Sequence, residues 1–144
     1  MYSKAGGDSL DEFLASLMQD QTNESFKTYS QLEVIRKIKE EVCYVSDNYD
    51  RALEYNYNYS DNDIKYTLPD KRVIEIPGVI RIGCPEVLFS AELDGKDNVS
   101  ILDMALQSIM QVDAGDRIEC YKNLVFAGGS SLFKGLPERM KEEI

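Results

Sequence analysis

The run from Leu124 to Leu136, LVFAGGSSLFKGL, constrains the fold more than any other stretch of this chain. Four apolar residues stop at a glycine pair, two serines and an aromatic follow, and the tail PERMKEEI reads as a helix. A short apolar run bounded by turn residues predicts a buried strand. Paired glycines leave the backbone bare where that strand ends. Exposed N–H groups there, ahead of a helix start, suit an anion such as a nucleotide phosphate. A plain strand-to-helix turn needs the same residues, so the motif alone leaves both open.

Composition narrows the choice. A chain of 144 residues suits one domain or two small lobes sharing a core. A net charge of −10 argues against sequence-independent nucleic-acid binding, which needs clustered Lys and Arg against phosphates. The sequence has no histidine, which removes the usual general base, the commonest metal ligand and any Ser-His-Asp triad. Cys43, Cys84 and Cys120 are odd in number and share no CxxC spacing, so they read as reduced, partly buried thiols in an intracellular protein. No apolar run approaches the roughly 20 residues that span a bilayer.

Leu10, Phe13, Leu14, Leu17 and Met18 make one apolar stripe on a helix of about 12 residues, with Ser9 and Glu12 as its capping box. The segment from Asp20 to Thr28 is polar and turn-like. Ser30 and Glu33 predict a second box, ahead of Ile35, Ile38, Val42 and Val45 at helical spacing, with Lys37 pairing Glu33 and Glu41 on the outer face. Residues 47–63, DNYDRALEYNYNYSDND, read as an exposed acidic loop; a base-stacking tyrosine platform is the weaker reading, since Arg51 is the only basic residue there. Ile64–Leu68 and Val73–Ile76, split by Pro69-Asp70, predict a hairpin. Pro77-Gly78 breaks the chain again, and Pro85 suits the first turn of a short helix EVLFSAEL. Ser100 and Asp103 open a further helix, whose buried face is Ile101, Met104, Ala105, Ile109 and Val112. A short helix over about Asp116–Tyr121 precedes the strand LVFA. Interleaved helices and strands make the class mixed α/β.

Five collinear segments carry a resemblance to the actin and actin-related family. SFKTYSQLEVIRKIKEEVCYV (25–45) resembles its helix from an SF-T pattern to an IKE-x-x-CYV ending, and TLPDKRVIEI (67–76) its LPD hairpin. CPEVLF (84–89) is similar to CPE-x-LF, SIMQVDAGDR (108–117) to SIM-x-x-D-x-x-x-R, and the C-terminal run to L-x-GG followed by G-x-x-x-RM-x-x-EI. The Hsp70 branch, which shares the superfamily fold, continues its glycine pair with Ser-Thr-Arg, whereas this chain reads Ser-Ser-Leu-Phe-Lys. The resemblance implies an α/β partial lobe of the actin-like ATPase fold (ribonuclease H-like, actin/Hsp70 superfamily) with an α+β inserted subdomain. Residues 6–95 correspond to subdomain 4 and residues 96–144, with 1–5, to part of subdomain 3. A full actin-like chain is more than twice as long. The phosphate-binding hairpins of the family fall outside these residues, so the chain reads as a lobe of a larger parent.

The same resemblance assigns residues. Gly128 and Gly129 match the family's glycine pair beside the nucleotide, Ser130 a Thr or Ser near the phosphates, Leu132 a Met, and Phe133 the Tyr beside adenine. Lys39 and Glu40 match the Lys-Glu pair of IKE, where the carboxylate accepts from a ribose hydroxyl and the lysine lies along the adenosine edge. Arg36 matches an Arg near that pocket, and Gly7 a glycine at the hinge side. Asp8 and Asp11 read as acids favoured by a helix start. No catalytic residue and no direct metal ligand is assigned.

The intact parent is expected to bind ATP or ADP with Mg²⁺ or Ca²⁺, with none bound by this piece alone. Hydrolysis is left open for the parent and is not expected of the lobe. Expected partners are other actin-like subunits and actin-binding or complex-forming proteins, with no direct nucleic-acid or membrane contact. The compartment implied is the cytoplasm and its cytoskeleton, with the nucleus as alternative. The stretch SAELDGKDN (90–98), polar where actin carries an apolar plug, favours a divergent actin-like or actin-related protein. A non-hydrolysing scaffold subunit of a chromatin-remodelling or motor-adaptor complex and a polymerising divergent actin are the alternatives.

Overall fold

The computed structural model describes residues 6–22, 25–90, 92–93, 95 and 99–144. Its elements in order are α1 (Gly7–Thr22), α2 (Tyr29–Val42), α3 (Tyr49–Asn58), β1 (Ile64–Thr67), β2 (Val73–Ile76), α4 (Gly78–Glu86), α5 (Ile101–Met110), α6 (Arg117–Lys122), a 3₁₀ turn (Gly129–Leu132) and α7 (Leu136–Glu143). Helices and a small antiparallel sheet interleave, as expected of a partial actin-like α/β fold.

α1 lays Leu10, Leu14 and Met18, each fully buried, against α2 and α4. It runs longer than the stripe predicted, from Gly7, and the Leu10 N–H bonds the Gly6 carbonyl at 2.9 Å. Ser9 therefore sits inside the first turn and does not cap it. α2 also starts before its expected box. Thr28 accepts from the Gln31 N–H while the Gln31 side chain takes the Thr28 N–H at 2.9 Å, so the reciprocal cap lies two residues upstream of Ser30. On its outer face Glu33 pairs with Arg36 at 3.1 Å instead of the expected Lys37.

Residues 47–63 are not the loop the sequence suggests. Asn48 accepts from the Arg51 N–H at 2.9 Å and starts α3, whose half-buried residues Tyr49, Ala52, Leu53 and Asn56 follow helical spacing and face α4. Tyr and Asn have middling helix propensity, and packing on α4 decides the outcome. The tyrosines are helical neighbours, Tyr55 against Tyr59 at 4.9 Å, not an alternating platform.

The hairpin forms as predicted, with Ile64 opposite Ile76 and Tyr66 opposite Ile74 on the inward face. Its turn places Lys71 at φ 68°. The helix expected after Pro85 lies before it instead. Pro85 has no N–H to offer the Arg81 carbonyl one turn back. That carbonyl takes the Tyr44 N–H at 3.2 Å, and the helix ends at Glu86. Arg81 also ties α4 to the end of α2, donating from Nε to the Val42 carbonyl at 2.9 Å.

α5 is capped as expected, Ser100 Oγ accepting from the Asp103 N–H at 3.0 Å. Of its predicted inner face only Ile109 is buried; Ile101, Met104, Ala105 and, just beyond the helix, Val112 are half-buried. Residues 124–127 belong to no strand and have no β partner among the described residues, and Val125 is 90% exposed. A run of strand-forming residues becomes a strand only when another supplies its ladder. Residues 91, 94 and 96–98 of the polar stretch SAELDGKDN, and residues 1–5, lie outside the described residues.

Candidate functional site

The C-terminal segment is held to the body by its backbone. The Val45 N–H donates to the Lys134 carbonyl at 2.8 Å, and Tyr44 and Lys134 form a parallel bridge. Gly135, at φ 89°, lies so close to the Val45 carbonyl that a Cβ would collide with it. This contact sets the glycine-rich turn opposite the N-terminus of α1 and the exposed edge of α2.

Between them lies a cleft of about 520 Å³, within the size range of small-molecule sites. Gly7, Asp8, Arg36, Lys39 and Glu40 form one wall; Gly129, Ser130, Leu132 and Phe133 form the other. Eight of the nine residues singled out from the sequence thus meet in one cavity, although they lie up to 126 positions apart (7 to 133). Gly128 sits just behind the lining at φ 95°, a backbone conformation that favours glycine, and its carbonyl accepts from Ser131 Oγ at 2.7 Å. Neither Gly128 nor Gly129 has anything within 4 Å of where a Cβ would project. Phe133 is buried at the cleft wall, whereas Leu132 is 84% exposed.

The electrostatics depart from the sequence reading. Lys39 is buried, its ammonium 2.7 Å from Asp11 Oδ1 and donating to the Gly7 carbonyl at 2.9 Å. Arg36 donates to Asp11 at 3.0 Å, to Asp8 at 3.0 Å and to Glu33 at 3.1 Å. The Asp11 hydrogen bond, with the charges of Asp11, Glu33 and Asp8, raises the guanidinium above its ordinary value. Asp11 is therefore not a solvated helix-start acid. It is 3% exposed and is the shared counter-ion of both cations. The sequence does hold the signal: Asp11, Leu14 and Met18 fall at i, i+3 and i+7 on the buried stripe. Glu40 is exposed, and among the described residues its carboxylate has no hydrogen-bond or ion-pair partner. It is a free acceptor on the cleft wall.

A separate cavity of about 560 Å³ between α3 and residues 44–48 carries Tyr and Asn side chains with Asp47, Arg51 and Glu54, and shares no residue with the cleft.

The family model for actin matches residues 3–144. The chain is similar to actin-related protein 2 of Oryza sativa subsp. indica, 38% identical over 112 residues. Those residues are 78% of this chain and 28% of that relative, so the chain spans little more than a quarter of its length.

Proposed function

The chain belongs to the actin family, and on that premise we propose that its parent binds ATP or ADP, with Mg²⁺ or Ca²⁺, in a cleft between two lobes of which this is one. The observation that carries the reading is the convergence of Gly7, Arg36, Lys39, Glu40, Gly129, Ser130, Leu132 and Phe133 on one cavity. The donor set fits the nucleoside end of such a ligand. Glu40 offers an unpaired carboxylate to a ribose hydroxyl, Phe133 an apolar wall to the base, and the Gly129–Ser130 backbone its N–H groups to a phosphate. A bound nucleotide and its cation supply the phosphoryl chemistry; this lobe's residues orient the nucleoside and exclude water from one side of it.

In the cell the parent acts in cytoskeletal or other protein assemblies of actin-like subunits and their binding proteins. The alternative reading is a scaffold subunit that keeps the fold without hydrolysing nucleotide. Calorimetric titration of Mg·ATP into this chain and into the full-length parent tests the proposal. Binding by the parent and its weakening by about 1–2 kcal/mol in Glu40→Ala are expected, from one lost charge-assisted hydrogen bond. Unchanged affinity removes Glu40 from the site, and absence of binding by the parent favours the scaffold.

A further inference from the structure

Behind the cleft lie two buried cysteines that take no part in its lining. Cys43 follows the last turn of α2, its N–H bonded to the Lys39 carbonyl at 3.2 Å. Cys84 sits near the end of α4, its thiol donating to the Leu10 carbonyl at 3.7 Å. The bond from the Tyr44 N–H to the Arg81 carbonyl, 3.2 Å long, draws the two segments together, the two side chains lie in one buried cluster, and Cys43 is the neighbour that bears most on the Cys84 thiol. Both are free and buried, Cys84 completely and Cys43 to all but 6%.

We propose that Cys43 and Cys84 form an oxidisable dithiol, which a peroxide joins into an intramolecular disulfide beneath the cleft. Cys43 keeps the only solvent edge of the pair and is the sulfur a peroxide meets. Its thiol gives a sulfenic acid and water, the peroxide O–O bond being broken and sulfur oxidised. The Cys84 sulfur then attacks the sulfenic sulfur; the S–O bond breaks, the hydroxyl leaves with the Cys84 proton as a second water, and the S–S bond forms. The neighbouring Cys43 thiol, together with burial, disfavours the thiolate and holds the Cys84 thiol protonated well above its ordinary range. Cys84 therefore resolves and does not initiate, and the reaction is slow by the standard of exposed thiolates.

The linkage would staple the end of α2 to α4. It would also remove the S–H donor from the Leu10 carbonyl, next to Asp11, on which Lys39 and Arg36 both depend. Oxidation at this pair thus acts on the supports of the cleft and not on its lining.

The test is non-reducing peptide mapping by mass spectrometry after native full-length protein is treated with hydrogen peroxide. A peptide pair joined through Cys43 and Cys84, lost on adding dithiothreitol, is expected. In Cys84→Ser, the Cys43 sulfenic acid should instead accumulate and be trapped by dimedone. The proposal is overturned if wild-type Cys43 is oxidised without becoming linked to Cys84, or if the linkage forms only in urea. Complete reaction of the half-exposed Cys120 while neither thiol of the pair changes overturns it equally, and needs no variant to fold.

Discussion

Replacing Glu86 with glutamine should flatten a pH dependence of stability that runs against the usual direction for a carboxylate. Glu86 is 2% exposed at the end of α4, and its Oε2 has no hydrogen-bond partner among the described residues. The nearest cation, Arg139 of α7, reaches its Oε1 only at 3.4 Å, because its shorter bonds go to Glu143 at 2.6 Å and the Ser46 carbonyl at 2.9 Å. Burial dominates, and with the charges of Glu143 and Asp50 it outweighs Arg139, lifting the carboxyl from 4.5 to about 7. A raised carboxyl pKa means the folded state holds its proton where the unfolded chain has released it. Stability is then greatest below the unfolded value of 4.5 and falls as pH rises to about 7. At 1.36 kcal/mol per pKa unit the full span is about 3 kcal/mol, and screening by solvent at the cluster's outer edge lowers this to about 2. Glutamine keeps the shape and does not titrate. Urea unfolding followed by far-UV circular dichroism, at intervals from about pH 5 to pH 8, should show wild type losing about 2 kcal/mol relative to Glu86→Gln. Subtracting the two curves cancels the other carboxylates. A flat difference, or one in which wild type gains with pH, would mean that the Arg139 pair keeps Glu86 ionised and that the burial argument is wrong.

Gly135→Ala should cost about 3 kcal/mol or more, since the residue needs φ 89° and its Cβ would meet the Val45 carbonyl; a thermal midpoint within a degree of wild type would contradict the wedge. Thr28→Ala should cost about 1 kcal/mol by removing the capping box of α2, whereas Ser30→Ala, outside the box, should change little; equal losses in the two would count against the observed cap position. Gly129→Val has open space for its side chain and should leave stability nearly unchanged while weakening Mg·ATP binding by the parent roughly tenfold or more. Normal binding in that variant would make the glycine pair a turn and nothing else.

What the sequence discloses follows the reach of each physical signal. Local hydrogen-bond motifs with short spacing are legible: the Pro69-Asp70 hairpin and the Ser100–Asp103 cap form where the residues place them. Where two local signals compete, tertiary packing chooses. Ser30 offers a cap as good as Thr28, and only the chain path ahead of α2 selects the latter. α3 was illegible because its polar residues mask a half-buried face whose partner, α4, lies some 30 positions further on (Tyr49 to Gly78). The helix around Pro85 lies earlier than the sequence suggests for a related reason. Proline marks a helix start when its missing N–H is an orphan, but here Tyr44, far upstream, satisfies the carbonyl that proline leaves free. The cleft's members could be named residue by residue from their motifs, yet the ion-pair network that fixes Lys39 and Arg36 could not, since Asp11 looks like any first-turn acid until α2 packs on it.

That network limits what this wall of the cleft can contribute to a nucleotide. Arg36 already faces three carboxylates, and Lys39 spends its charge on Asp11 and the Gly7 carbonyl. Counting Asp8, Asp11, Glu33 and Glu40 against Arg36 and Lys39, four acids to two bases, the wall carries a formal charge of −2. Neither cation can turn to a polyphosphate without stranding Asp11, a buried carboxylate whose charge, among the described residues, those two cations offset. The phosphate end is left with the backbone N–H groups of the glycine turn, which are partial dipoles and not full charges. An anionic polyphosphate therefore gains little net attraction from this lobe, whereas an uncharged ribose and base meet a free carboxylate and an apolar wall. In the proposed parent, the charge of the phosphates has to be balanced by the bound cation and by the lobe across the cleft. Recognition is then divided, with the nucleoside read on this side and the phosphates held on the other.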